Sequence, residues 1–264
     1  MYETTYHRPS SVAEATALFA KGSEPEYLAG GHTLIPVMKQ RLASPSDVID
    51  LGRIKELVGI ELSADALTIK AATTYFDIMQ SADVKKAIPA IVHLTSVLGD
   101  PQVRHRGTIG GSIANNDPAA DYPAAVLALG ATIKTDKRSI AADDFFTGMF
   151  STALEENEIV TEISFPVPEK SAYKKFANPA SRYAMVGVFA AKIKDGVRVA
   201  VTGAAPCVFR VPEMEVALAK NFTPDAIANI AVDKGGMNSD IHGSAEYRAH
   251  LVTVMAKRAV AEAA

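Results

Sequence analysis

The sequence predicts an α+β chain, mixed in its first half and sheet-then-helices in its second, and three observations carry this reading. Short β-rich runs alternate with stretches of helical period up to about residue 98. Two long β-rich runs in "SRYAMVGVFAAKIKDGVRVAVTGAA" are joined by Asp195-Gly196, a strong short-range hairpin signal. The tail from Val211 reads as helical, ending in the amphipathic "AEYRAHLVTVMAKRAVAEA".

Taken in order, "SSVAEATALFAKG" opens with Ser11 and Glu14 at capping-box spacing, gathers Val12, Ala15, Leu18 and Phe19 on one side, and stops at Gly22. "EYLAG" is a short strand. "TLIPVMKQRLA" follows as a helix that Thr33 can cap, with Pro36 in the tolerated first turn. "DVIDLG" is a strand, and "LVGIEL" and "ALTIKAATTY" form a hairpin turning at Ser63 to Asp65. Helical patterns resume from about 75 to 98. The next stretch, "LGDPQVRHRGTIGGSIANNDPAADYPAAVLALGA", is dense in Gly, Pro, Asn and Asp between apolar helices and reads as a long functional loop. "ATIKTD" and "EIVTEISFPVP" are strands, and Pro166 and Pro168 mark a boundary.

Composition excludes several function classes. At 264 residues the chain is long enough for two or three packed units, and 48% hydrophobic with 22% charged residues is ordinary for globular proteins. A net charge of -3 and no Lys/Arg stripe interleaved with aromatics argue against a nucleic-acid partner. One cysteine, Cys207, allows no internal disulfide and cannot by itself hold an iron-sulfur cluster or a structural zinc, so any redox metal is expected on another chain. No basic leader with an apolar core opens the sequence and no apolar run reaches membrane-span length, so a cytoplasmic setting is expected.

Two segments share a composition of small residues, a hydroxyl and paired glycines: "AGGHT" (Ala29 to Thr33) and "TIGGS" (Thr108 to Ser112). Glycine permits positive φ and close backbone approach, so successive N–H groups can converge on one anion. Two such loops brought together would hold a diphosphate without a basic side chain; taken singly, each is equally a tight turn. Neither G-x-G-x-x-G opening a βαβ unit nor a P-loop is present, so the nucleotide-binding fold is of another kind.

"LAGGHTLIPVMKQRL" together with the later "RGTIGGSIANNDPAADYPAAVLALGA" resembles the FAD-binding medium subunits of the molybdenum hydroxylases, the group of aerobic carbon monoxide dehydrogenase and xanthine dehydrogenase. The opening "YHRPSSVAEA" and the closing "SAEYRAHLVTVMAKRAV" extend that resemblance over nearly the whole chain. It implies a two-part FAD-binding domain of the vanillyl-alcohol-oxidase-like (PCMH) type over 1–166, with subdomains of about 1–52 and 53–166. A C-terminal antiparallel sheet with helices would then occupy 167–264. It further implies that Ala29, Gly30, Gly31, His32 and Thr33 meet the FAD diphosphate, and that Thr108, Ile109, Gly110, Gly111 and Ser112 close on it from the other side. Asp121 would accept from cofactor hydroxyls, while Tyr27, Leu28, Leu98, Ile159, Val160 and Met185 would line the adenine or isoalloxazine regions. The sequence departs from xanthine dehydrogenases at Leu98, where they place an aromatic, and at Met185, where they place a lysine. It also lacks the cysteine-bearing insertion of one branch, so no metal is expected on this chain.

Other candidates have plainer alternatives. His32 between glycines and a helix start shapes the loop or borders the cofactor, with acid-base work the minor reading. Arg104 and Arg106 of "VRHRG" are either a phosphate clamp or ordinary surface cations. Cys207 reads as a small buried hydrophobe. Asp117 and Asp121 are separated by Pro118, which argues against one carboxylate-bearing helix face. The stripe Leu251, Val254, Met255 and Ala259 is core or partner interface.

The resemblance implies an oxidoreductase subunit without a catalytic side chain of its own. Electrons would come from 2Fe-2S clusters of a small subunit, behind a large molybdenum-cofactor subunit, in a dimer of heterotrimers, and would leave to NAD+ or a quinone. The alternatives are a free-standing FAD reductase of the same fold, which needs a substrate pocket with charged anchors, and a scaffold that has lost its cofactor.

Overall fold

The computed structural model describes residues 1–263. Its first unit is a three-stranded parallel sheet ordered β1-β3-β2, built from β1 (Thr5–His7), β2 (Pro25–Leu28) and β3 (Asp47–Asp50). Helix α1 (Val12–Phe19) starts where Ser11 accepts from the Glu14 N–H; the Glu14 carboxylate reaches Ser10. Its face of Val12, Ala15, Leu18 and Phe19 packs with Ile49 and Ile54, as the 3–4 spacing dictates. Helix α2 (Leu34–Lys39) is shorter than predicted, and Thr33 stands at its N-cap position without a side-chain capping bond.

The second unit is a five-stranded antiparallel sheet. The hairpin β4 (Ile60–Leu62) and β5 (Ala66–Lys70) turns at the predicted Ser63–Asp65. Helices α3 (Tyr75–Gln80), α4 (Ala82–Ala87) and α5 (Pro89–Ser96) follow. The stretch predicted as a long loop is instead mostly helical: α6 (Pro101–Arg106), α7 (Ile109–Asn115) and α8 (Tyr122–Ala128). Its turn-forming residues are caps. Asp100 accepts from the Val103 N–H with Pro101 behind it, Thr108 accepts from Gly111, and Asn116 ends α7 in the left-handed region at φ 44°. Strands β6 (Thr132–Thr135) and β7 (Ser139–Ala141), the short helix α9 (Ala142–Phe145) and the small hairpin β8 (Phe146–Gly148) and β9 (Ser151–Thr152) complete this part. Strand β10 (Val160–Pro166) returns between β5 and β6, giving the order β4-β5-β10-β6-β7.

The third unit is a four-stranded antiparallel sheet of β11 (Lys170–Ala177), β12 (Ala184–Ile193), β13 (Gly196–Thr202) and β14 (Phe209–Arg210). The β12–β13 register pairs Ile193 with Gly196, so the loop is Lys194-Asp195, one place earlier than predicted, and Gly196, at φ 130°, already belongs to the ladder. Helices α10 (Pro212–Lys220) and α11 (Ala245–Ala263) cover one face. Leu251, Val252, Met255, Ala256, Ala259 and Val260 of α11 bury against β11 and β12, so this part of the last helix is core. The tail is not helical throughout: residues 228–244 carry turns, in which Asp233 accepts from Gly235 and Asp240 from His242.

The second and third units share a core. Tyr173, Phe189, Ala191 and Ala200 pack into the same cluster as Ile91, Leu94, Ile113 and Tyr122. Arg198 adds a two-toothed bridge to Asp143 at 3.0 and 2.9 Å. No helix among the described residues is long and apolar enough to cross a membrane.

Candidate functional site

The two glycine-pair segments lie against each other. A Cβ on Gly111 would stand 2.9 Å from Thr108 Oγ1 and 3.1 Å from the Ala29 Cβ, and one on Gly30 would stand 2.5 Å from the Arg106 carbonyl and 2.7 Å from the Gly107 Cα. Both gaps are too short for any side chain, so the pairing of the segments itself requires glycine at 30.

Their backbones are used differently. In the first segment, the N–H groups of Gly30, Gly31, His32 and Thr33 find no acceptor among the described residues, while the Gly31 and Thr33 carbonyls already accept from Ile35 and Val37. Gly31 is at φ 78°, in the left-handed region where a side chain costs about 1–2 kcal/mol. His32 and Thr33 are exposed, and Ala29, Gly30 and Gly31 half-buried. A run of free N–H groups turned through such a residue can form a concavity suited to an anion. In the second segment every N–H from 109 to 112 is taken: Ile109 gives to Thr73 O, Gly110 to Ala71 O at 2.9 Å, Gly111 to Thr108 Oγ1, and Ser112 to Thr108 O. Thr108, Ile109 and Gly110 are buried. Gly111 and Ser112, half-buried, are what this segment leaves accessible.

The acidic segment beyond α7 is gripped by the third unit. Gly203 N–H and the Thr202 hydroxyl both donate to Pro118 O, and Thr202 donates also to Ala120 O at 2.6 Å. Asp121 is 2% exposed; the Tyr173 hydroxyl donates to its Oδ1, and Lys175 Nζ lies 2.9 Å from the same oxygen. Burial pushes the Asp121 carboxyl up from the usual carboxylate range, against the pull of Lys175 and the Tyr173 hydrogen bond. Asp121 therefore has protein partners where the resemblance implied cofactor hydroxyls. Asp117 accepts from its own chain at Ala119 N, an Asx turn.

A cavity of about 330 Å³ opens where the second and third units meet, lined by Asp117, Phe150, Tyr183, Met185, Asp240 and Arg248 among others. Arg248 is 4% exposed; its Nη1 donates to Met185 O and Gly203 O and its Nη2 to Asp240, while its buried Nε finds no partner among the described residues. Phe150, at φ 51°, is held in the left-handed region by a hairpin tip whose carbonyls at Gly148 and Ser151 accept from Asn116.

Of the remaining predicted residues, Tyr27 and Ile159 pack in one cluster with Phe19, and Tyr27 donates to Asn157. Leu28 is buried with Met38 and Val48, and Val160 in the central core. Leu98 is half-buried at the end of α5, and Met185 lines the cavity. Arg104 is no phosphate clamp, since its guanidinium donates to Leu98 O and Gly99 O; the Arg106 side chain is exposed. Half-buried Cys207 packs against the central core. Lys175 went unread as a site residue. The alternation of β11 is the signal that finds it, placing Tyr173 and Lys175 on one face and Lys174, paired with Glu262, on the other.

The residues present fit the FAD that the resemblance implies. Four N–H groups without an acceptor among the described residues suit a diphosphate, and Ala29 lies so close to Gly111 that a side chain there would fill the space between the segments. Comparison with known proteins agrees. Residues 2–168 match the FAD binding domain in molybdopterin dehydrogenase, and residues 171–263 the CO dehydrogenase flavoprotein C-terminal domain. The chain is 37% identical to the carbon monoxide dehydrogenase medium chain of Hydrogenophaga pseudoflava, over 97% of this chain and 95% of that protein. It is equally 37% identical to the glyceraldehyde dehydrogenase medium chain of Sulfolobus acidocaldarius, over 99% of each. Among solved structures, reconstituted CO dehydrogenase from Oligotropha carboxidovorans superposes with a TM-score of 0.91 at 34% identity, covering 99% of this chain and 97% of that one.

Proposed function

The chain belongs to the family of FAD-binding medium subunits of the molybdenum hydroxylases, and on that premise we propose that it relays electrons from 2Fe-2S clusters of a small partner subunit to an external acceptor such as NAD+ or a quinone. The observation that carries the proposal is the run of four unpaired N–H groups, Gly30 to Thr33, packed against the second glycine pair.

In this reading the first segment binds the FAD diphosphate through its backbone, and Gly111 and Ser112 close the other side. Helix α7 begins at the second glycine pair and ends beside Asp117 and Pro118 of the cavity lining, and one extended dinucleotide is placed across both. Met185 and Tyr183 then border the ring end, and Leu28, beside Gly31, supports the cradle from behind; Tyr27 and Ile159 pack with Phe19, and Val160 in the central core. Asp121 acts by fixing the segment 117–120 rather than by contact. FAD supplies the redox chemistry, exchanging electrons singly or in pairs and so matching one-electron clusters to a two-electron acceptor. No side chain of this protein needs to move a proton for that relay; its task is to bind, orient and exclude water. Relatives named for carbon monoxide and for glyceraldehyde share the same 37% identity with this chain, which supports placing substrate choice on the large molybdenum-cofactor subunit.

The test is spectroscopic. The purified chain reconstituted with FAD should show stoichiometric flavin absorbance, and in complex with its cluster-bearing and molybdenum subunits that absorbance should bleach when a substrate of the complex is added. A chain that takes up no FAD, or flavin that stays oxidised in a fully loaded complex with its substrate, rejects the proposal.

A further inference from the structure

Phe150 breaks a local rule at the cavity where the second and third units meet. The β8–β9 ladder pairs Gly148 with Ser151, so Met149 and Phe150 form a two-residue tip. Phe150 takes the second of these places at φ 51°, where such a turn favours glycine or asparagine. Of the five non-glycine residues at positive φ among the described residues, it alone is apolar. A bulky side chain in that region is an outlier that persists only where its surroundings over-determine it. Asn116, 2% exposed, does this: its Nδ2 donates to Gly148 O and Ser151 O at 2.8 Å each, and its carbonyl accepts from the Phe150 N–H at 3.2 Å. Asn116 is also the residue that ends α7, the helix beginning at the second glycine pair. Yet the ring that this turn holds is not packed into the core: Phe150 is 57% exposed and lines the cavity. Tyr183, 55% exposed and directly after Arg182 at φ 62°, lines the same cavity from the third unit. Two exposed aromatic rings, one from each unit, suit a flat conjugated ligand, because aromatic faces stack on one another.

We propose that Phe150 is a further cofactor-contacting residue, presented by Asn116 so that its ring covers the ring end of FAD in the cavity. The inference rests on the FAD reading above, in which the ring end lies there. Contact with the cofactor then buries the apolar surface that Phe150 leaves in solvent in the free chain. The free chain carries the strain of the tip, and the bound group offsets it. That separates Phe150 from a residue kept for the fold, whose loss weakens the free chain.

The full chain, with and without FAD, provides the test through Phe150→Gly. Glycine relieves the left-handed backbone, so the urea midpoint of the FAD-free variant should match or exceed that of the wild type. FAD should nevertheless bind about fivefold or more weakly, as when an aromatic stacking partner is lost, and iodide should quench the bound flavin more readily. Phe150→Trp, which keeps a stacking ring, should hold affinity and quenching near the wild type. Met149→Ala, at the neighbouring place of the tip and outside the cavity lining, should change neither. Wild-type affinity and quenching in Phe150→Gly overturn the inference, and weaker association with the partner subunits in that same variant would assign the ring to docking instead. A clearly lower midpoint of FAD-free Phe150→Gly overturns it too, since Phe150 would then serve the fold. Failure of the wild-type chain to bind FAD at all is a different result, which rejects the flavin reading on which the inference rests.

Discussion

The two glycine pairs have nearly the same composition and opposite backbone economies. Gly30 and Gly31 sit in an open turn whose N–H groups from 30 to 33 have no protein acceptor among the described residues, whereas Gly110 and Gly111 begin a helix whose N–H groups are all consumed. What separates them is the company each keeps. Thr108 adopts extended backbone and offers its hydroxyl to Gly111, and Ala71 O reaches Gly110; Thr33 is already helical at φ -101° and ψ -57° and offers nothing. Glycine in the second segment is there because protein packs against it, and at Gly31 because the chain turns left-handed. On the proposed reading the first segment is the anion site and the second its wall.

The largest effect should come from Gly110→Val. Its Cβ would lie 2.5 Å from the Ala71 Cβ and 2.7 Å from the Ala71 carbonyl, and backbone cannot yield as a flexible side chain can. A loss of about 3 kcal/mol or more is expected, measured by urea unfolding of the FAD-free chain. A stable Gly110→Val protein would break the claim that packing demands this glycine. Gly111→Val should separate the two properties: its neighbours are Thr108 Oγ1 and the Ala29 Cβ, so the added bulk wedges the segments apart. Here a stability loss of about 1–2 kcal/mol should accompany release of FAD, seen as flavin in the filtrate. Stoichiometric FAD at wild-type affinity would mean that the contact between the segments is irrelevant to binding. Gly31→Ala should be smaller in stability, about 1–2 kcal/mol or less from the positive φ, with weaker FAD binding as the N–H groups turn away. Unchanged FAD affinity in a folded Gly31→Ala chain would remove the first segment from the site.

Some of this was legible from residues alone. Ser11 and Glu14 announced α1, and Ser63 to Asp65 announced the β4–β5 turn, because both signals are local. The glycine pairs were found as pairs, but their division of labour was not, since it depends on Ala71 and Thr73, more than thirty residues away in sequence from Gly110 and Ile109. The 98–131 stretch misled for a related reason: Asp100, Thr108 and Asn116 favour turns and caps equally, and three short helices between caps look like one irregular loop. Lys175 reads as a surface lysine beside Lys174 until the strand is known to be buried on one side. Asp121 drew its implied role from resemblance, while its partners Tyr173 and Lys175 come from another unit.

The finest test of the comparison is a matched pair of threonines. Both Thr33 and Thr108 precede a helix, and an alanine at a working N-cap typically costs about 1 kcal/mol. Thr108 works: its hydroxyl accepts from the Gly111 N–H at 3.2 Å, and it is 5% exposed. Thr33 is exposed and its hydroxyl caps nothing in α2. Thr108→Ala should therefore lower the stability of the FAD-free chain by about 1 kcal/mol, and Thr33→Ala should leave it within about 0.5 kcal/mol. With FAD added the order should reverse in affinity, because Thr33 belongs to the open segment and Thr108 to the wall behind it. Equal stability losses in the two variants would show that Thr33 caps α2 in solution, and the N–H groups beside it would then no longer be free for a phosphate.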